Sequence, residues 1–139
     1  ITTHDSSLST CVFSIVASVL GMREKAVRYL GDSAKMDLLD THKNTKDGIH
    51  AANMGGCYMA IIYGFAGVSI TENELILNPY VPETWEGYTF RISYRQSLLR
   101  VNVEKEKCTI EVLKGAPVQL EIYGEKKKAV PGKPLRIEK

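Results

Sequence analysis

The first part of the chain carries apolar residues at helical spacing. From Leu8 to Val19 they recur every three or four positions, which predicts a first helix with Asp5 or Ser6 as its N-cap and Gly21 as its stop. A second helix is predicted from about Arg23 to Asp37. One side of this second helix is apolar and includes Ala26, Val27, Leu30 and Ala34.

A third helix is predicted from about Ile49 to Tyr63, after a polar loop at residues 40–48. This helix is apolar or small nearly all round, and a helix without a polar face is expected to be buried on every side. Gly55 and Gly56 weaken it locally, which close approach of a neighbouring helix or ligand would explain. Two other helices and a small sheet hardly cover such a helix, so more helices are expected upstream of Ile1.

The second half alternates as strands do. From Tyr88 to Tyr94 apolar and polar residues alternate, which predicts an antiparallel strand with one solvent-exposed face. Other strands are predicted at residues 68–70, 75–77, 99–103, 109–113, 118–123 and 135–137, while Lys126–Lys128 is predicted to form a solvated turn. The fold class is therefore α+β, with residues 1–67 helical and residues 68–139 an antiparallel β-domain.

Charge, hydropathy and cysteine content argue against several classes of partner and site. The 139 residues carry a formal net charge of +2, which predicts neither a nucleic-acid partner nor an anionic membrane partner. No apolar run is long enough to span a bilayer. The three cysteines are far apart and odd in number, which predicts free thiols in the cytoplasm, with neither a disulfide framework nor a metal site.

The clearest candidate site is the entry to the third helix, residues 45–50. A helix N-terminus favours anions, and His50 in the first turn can add a donor or a positive charge toward a phosphate. Thr45 and Gly48 belong to the same loop. The alternative is that His50 only caps or packs against the helix.

The opening of the first helix is a second candidate site. Ser6 and Ser7 stand there, with an ordinary N-cap cluster as the alternative. If the helices alternate up and down, the first and third run parallel, and Ser6, Ser7 and His50 face one anion-sized site. Asp37 and Asp40 close the second helix and could bond the loop that follows.

Several separated segments resemble glycoside hydrolase family 65. Resemblance to the end of that family's catalytic domain is carried by Thr3–Ser9 (THDSSLS), Asp37–Asp40 (DLLD), Thr45–Gly56 (TKDGIHAANMGG) and Gly64–Gly67 (GFAG). Asn78–Pro79, Pro82, Trp85 and Phe90–Arg95 are similar to its C-terminal β-domain. The resemblance implies the last helices of an (α/α) barrel, followed by an antiparallel sheet or sandwich.

The resemblance also implies an activity. The family includes inverting phosphorylases that cleave α-glucosidic disaccharides, maltose among them, with inorganic phosphate as co-substrate and no other cofactor, releasing β-glucose 1-phosphate. His50 matches the family's phosphate-binding histidine, and Ser6 and Ser7 match serines at its other helix opening. Thr45 and Gly48 would support the loop. The general acid, a glutamate, is expected upstream, so no residue here is assigned a catalytic role.

The expected partners are the disaccharide, phosphate and the rest of the catalytic domain, and a homodimer is left open. The isolated chain is expected to be inactive. Two alternatives remain at this point: an α-glucoside hydrolase of the same family, and a noncatalytic carbohydrate-binding module in which the β-half acts. Phosphate-dependent release of glucose 1-phosphate would distinguish the phosphorylase from both.

Overall fold

The computed structural model describes residues 8–40, 46 and 48–139. The chain divides into two compact units, Ile1–Phe65 and Ala66–Lys139. The described part of the first unit holds helices and the second unit holds strands, so the predicted α+β fold class is confirmed.

Among its described residues, the helical unit contains three α-helices and one π-helical segment that continues the third. They are α1 (Ser9–Val19), α2 (Arg23–Ala34), α3 (Ala51–Met59) and the π-helical segment Ala60–Phe65. Helix α2 ends before the predicted Asp37, because residues 35–40 form turns. The predicted third helix is α in its first part only, and from Ala60 onward its backbone widens into the π conformation.

Small residues form the face of α1 that packs inside the unit. Cys11, Ser14 and Ala17 are buried there. Four of the larger apolar residues whose spacing predicts the helix are exposed in this structure: Leu8, Val12, Val16 and Val19. The spacing of the apolar residues therefore predicts correctly that α1 is a helix. The face that packs within this unit is instead the one with small side chains, which let the neighbouring backbone come close.

Helices α1 and α3 run in the same direction. A Cβ on Gly56, early in α3, would collide with Cys11 near the beginning of α1. A Cβ on Gly64, beyond the end of α3, would lie 3.0 Å from Ser18 Oγ near the end of α1. Both helices therefore begin at the same end of the unit, as the up-and-down argument predicts.

Buried polar side chains join α2 to its neighbours. Ser14 Oγ of α1 donates to the Ala26 carbonyl oxygen of α2 at 2.8 Å. Ser33 Oγ donates to Asn53 Oδ1 at 2.5 Å, and Asn53 Nδ2 donates back to the Ser33 carbonyl oxygen at 2.7 Å. These bonds satisfy groups that would otherwise be costly to bury. They also place the end of α2 beside the beginning of α3, antiparallel to it.

The described part of the chain covers α3 on one side only, whereas a helix without a polar face is expected to be buried on every side once further helices surround it. Asn53 and Gly56 of α3 are buried, because α1 and α2 cover that side. Met54, Tyr58 and Met59 retain exposed fractions of 59%, 56% and 46%. The other side of α3 thus leaves a largely apolar surface uncovered.

The β unit consists of two four-stranded sheets. The first has the order β1-β2-β6-β7 and the second the order β3-β4-β5-β8. The strands are β1 (Ser69–Ile70), β2 (Leu75–Leu77), β3 (Gly87–Tyr94), β4 (Ser97–Glu104), β5 (Lys107–Lys114), β6 (Val118–Ile122), β7 (Glu125–Ala129) and β8 (Leu135–Glu138).

Alternation along the strands places the β core where the sequence predicts it. In β3, Phe90 and Tyr94 are buried, while the polar residues Thr89, Arg91 and Ser93 are exposed. Both sheets contribute fully buried side chains, listed from the first sheet as Leu75, Leu77 and Ile122, and from the second as Leu99, Val101, Val103 and Ile110. Burial on one face of each sheet is typical of paired sheets that share a core.

Two details of the β unit differ from prediction. Strands β2 and β6 pair in parallel, not antiparallel, which the long connection through β3–β5 permits and a tight hairpin would not. Lys126–Lys128, predicted as a turn, lies in β7 and pairs with β6. The chain turns earlier, at Tyr123 and Gly124, both with positive φ, and a sheet edge tolerates exposed lysines.

Candidate functional site

His50 lies immediately before α3 and is held there by one carboxylate. Its backbone N–H donates to Asp37 Oδ2 at 3.0 Å, and its ring Nδ1 lies 2.5 Å from Asp37 Oδ1. The side chain makes no capping bond to the helix, although His50 occupies the N-cap position. Both side chains are about four-fifths buried, with exposed fractions of 20% for His50 and 22% for Asp37.

Asp37 follows α2 in the turn segment 35–40. The hydrogen bond from the His50 ring, and after it the bond from the His50 backbone, hold the pKa of the Asp37 carboxyl below its usual range, while desolvation acts in the opposite direction. An ionised carboxylate only accepts hydrogen bonds, so we assign the proton of this contact to His50 Nδ1. A further partner must therefore meet the ring through Nε2.

The first turn of α3 uses most of its own amide N–H groups. Ala51 N donates to the Ile49 carbonyl oxygen at 3.0 Å, and Asn53 N and Met54 N donate to the His50 carbonyl oxygen. Among the amides of this turn, Ala52 N–H is the one for which the described residues supply no acceptor. The helix start thus offers an anion fewer amides than a free N-terminus would.

Of the other predicted site residues, the structure describes Gly48. Gly48 is exposed and has φ +105°, in the region that favours glycine, and a Cβ there would meet nothing within 4 Å. Ser6, Ser7 and Thr45 lie outside the described residues. The shared site of the two helix openings stays a prediction, although the parallel α1 and α3 place both openings at the same end of the unit.

Asp37 is the site residue whose partner the sequence does not identify. Its position after α2 predicts a bond to the following loop, whereas the structure joins it to His50, thirteen residues along the chain. The pairing of Asp37 with His50 could have been predicted only from the helix topology. An acidic residue just after one helix lies near the beginning of the next helix when the two pack antiparallel.

The β unit has an open groove on the polar face of its second sheet. An open groove of about 750 Å³ crosses the polar face of β3, β4, β5 and β8. Its wall includes an Arg100–Glu111 ion pair, in which Nε lies 2.6 Å from Oε2. Phe90 and Tyr94 of β3 are buried in the core on the other face, so neither lines this groove. The groove is therefore lined by polar and charged groups.

In residues 8–40, 46 and 48–139, no three or more His, Cys, Asp or Glu side chains stand together as a metal ion would require. Within the same ranges, no helix combines the length and apolar character needed to cross a membrane.

Two family models match successive parts of the chain. The glycosyl hydrolase family 65 central catalytic domain matches residues 1–59, and the family 65 C-terminal domain matches residues 68–128. The chain belongs to glycosyl hydrolase family 65. The two matches follow one another in the order that the resemblance predicts.

Similar family 65 proteins are phosphorylases by name. An α,α-trehalose phosphorylase of Geobacillus stearothermophilus is 47% identical over 137 residues, which are 99% of this chain and 18% of that protein. A maltose phosphorylase of Bacillus subtilis is 36% identical over 124 residues, 89% of this chain and 16% of that protein. The chain thus spans less than a fifth of the length of these relatives.

A solved structure has the same fold over the same region. It is described as a candidate kojibiose phosphorylase from the human microbiome, with a TM-score of 0.90 and 33% identity. The match covers 99% of this family 65 chain and 20% of that one.

Proposed function

We propose that this chain is the C-terminal portion of an inverting disaccharide phosphorylase, which cleaves an α-glucosidic bond with inorganic phosphate and releases β-glucose 1-phosphate. Its part would be to supply the phosphate-binding side of the site. The observation that carries the proposal is the anchored His50 ring at the beginning of α3, in a chain whose relatives are named as phosphorylases.

The His50 geometry suits an anion. With Nδ1 donating to Asp37, the ring meets phosphate through Nε2, either as an imidazolium donor or as a neutral acceptor for a phosphate O–H. Ala52 N–H and the positive end of α3 add attraction for negative charge. Phosphate is itself a nucleophile, so this site needs donors more than it needs a base.

A hydrolase of the same family is the competing proposal. An inverting hydrolase uses a second carboxylate to activate water. Asp37, the carboxylate beside His50, has its pKa lowered by the hydrogen bonds that both its oxygens receive from His50, which makes it a weaker base. This engagement favours the phosphorylase. The cytoplasmic location, the homodimer and an upstream glutamate acid remain predictions.

The proposal predicts a selective defect in the His50→Ala variant of the complete protein. A hydrogen bond to a charged group contributes about 1.5–3 kcal/mol. The variant should therefore lose on the order of 10- to 150-fold in kcat/KM for phosphate, with much smaller changes in the KM for disaccharide. The measurement is the initial rate of glucose 1-phosphate release at varied phosphate. His50→Gln, which keeps a donor, should lose less.

Two results would contradict the proposal. If the unsubstituted protein releases free glucose at the same rate with and without phosphate, the hydrolase is correct. If His50→Ala keeps the phosphate dependence of the unsubstituted protein, His50 does not bind phosphate.

A further inference from the structure

We infer that Asp37 is a positioning residue for phosphate, acting through the His50 ring. The inference rests on the proposed function and adds to it a residue on a different element. Asp37 does not itself contact the anion in this scheme. Its role is to fix which nitrogen of His50 faces the phosphate, and in which direction.

The geometry fixes the ring at two points. Asp37 Oδ2 accepts from the His50 backbone N–H, and Oδ1 accepts from Nδ1, so one carboxylate holds both the main chain and the ring. Rotation of the ring about its side-chain bonds would break the 2.5 Å contact at Nδ1. Because Nε2 lies on the far side of the ring, it is directed away from Asp37.

The same contact decides where protons can lie. A neutral imidazole carries one N–H, and Asp37 keeps that hydrogen on Nδ1. The ring then either takes a second proton and donates from Nε2 to a phosphate oxygen, or accepts at Nε2 from a phosphate O–H. In both cases one proton lies between Nε2 and phosphate. Without the carboxylate, the hydrogen can move to Nε2 and the ring can turn.

A carboxylate near an anion site is otherwise unfavourable. Asp37 is negative and lies beside the beginning of α3. There it would repel phosphate and offset the positive potential that the helix N-terminus presents to an anion. A purely electrostatic site would gain from its removal. We expect the opposite result, because the ordering of the His50 ring outweighs the repulsion.

The experiment is a double-substitution cycle in the complete protein. It compares Asp37→Ala, Asp37→Asn, His50→Ala and the Asp37→Ala/His50→Ala double variant, with kcat and both KM values measured for phosphorolysis. Asp32→Ala is the matched control, because Asp32 is an exposed carboxylate on α2. Circular dichroism and thermal unfolding check that each variant folds.

Asp37→Ala should lower kcat/KM for phosphate on the order of tenfold or more, as substitution of groups that orient a ligand commonly does, and should change the KM for disaccharide by less than about twofold. The double variant should be no worse than His50→Ala alone. Asp37→Asn should show a smaller loss, because an amide keeps the shape without the charge. The Asp32→Ala control should match the unsubstituted protein.

The outcomes separate the two proposals. If His50→Ala impairs phosphate use while Asp37→Ala does not, or if the two losses multiply in the double variant, the positioning role is overturned and the phosphate role of His50 stands. If His50→Ala has no effect on phosphate use, the proposed function fails. Should Asp37→Ala fail to fold, the same comparison of Asp37→Asn with and without His50→Ala decides.

Discussion

The Cys108 thiol lies within β5 with no exposed surface. Desolvation raises its pKa to about 11, from a usual 9.0. Because the folded state holds this proton more tightly than the unfolded chain, the stabilisation is present below about pH 9 and is lost as the pH rises through about 11. At neutral pH the thiol is therefore both covered and protonated, and it fills core volume as a small apolar group.

We predict that Cys108 resists alkylation in the folded protein. At pH 8 iodoacetamide should leave it unmodified, because thiolate is the reacting form and little is present. After unfolding in urea, Cys108 should be alkylated fully, and this sample serves as the control. The readout is mass spectrometry of the peptide that contains Cys108. Equal rates in the folded and the unfolded protein would show that the side chain is accessible.

Between elements, α1 and α3 approach each other closely at Gly56. A Cβ on Gly56 would collide with Cys11 Sγ and lie 3.0 Å from Cys11 Cβ. The expectation that Gly55–Gly56 serves close helix approach is thus met at Gly56, whereas a Cβ on Gly55 would meet nothing within 4 Å. Glycine at Gly56 lowers helix propensity but lets the two backbones pack closely.

We predict that Gly56→Ala destabilises the protein. Overpacking of this kind costs about 1–3 kcal/mol, which exceeds the gain of roughly 0.5–1 kcal/mol from replacing a helical glycine by alanine. Gly31→Ala in α2 is the matched control, because a Cβ there meets nothing within 4 Å. Thermal unfolding should show a lower midpoint for Gly56→Ala only. An equal drop in both variants would remove the packing explanation.

At the scale of the whole molecule, the chain is short compared with its relatives. It spans 18% of the trehalose phosphorylase that it resembles. The large apolar residues exposed on α1, and those on the uncovered side of α3, are typical of surfaces that contact further protein. These observations fit the proposal that a complete site needs more chain than these 139 residues.

We predict that the 139-residue chain alone is inactive on maltose, trehalose and kojibiose. Cleaving a glycosidic bond requires a proton donor for the leaving group and a pocket that orients the sugar. We expect both to lie outside this chain. The assay is glucose 1-phosphate release with phosphate present, and the complete protein is the positive control. Phosphate-dependent turnover by the purified chain would disprove the assignment of the acid upstream.

The sequence by itself determined where the helices and most of the strands form and which family the chain belongs to, and it supplied the prediction that His50 is a site residue. These features follow from local information, because spacing at 3.6 or 2 residues reports the backbone conformation, and because motifs keep their order along the chain. Lys126–Lys128 was wrongly predicted as a turn, because a strand at a sheet edge needs no alternation of apolar residues.

Only the tertiary structure decided which surfaces meet. The packed face of α1 depends on its neighbours: Cys11 lies close to Gly56 of α3, and Ser14 donates to the Ala26 carbonyl oxygen of α2. The parallel pairing of β2 with β6, and the bond from His50 to Asp37 thirteen residues away, both join parts of the chain that are separate in sequence. Local periodicity carries no information about such partners, because they are selected by the packing of whole elements.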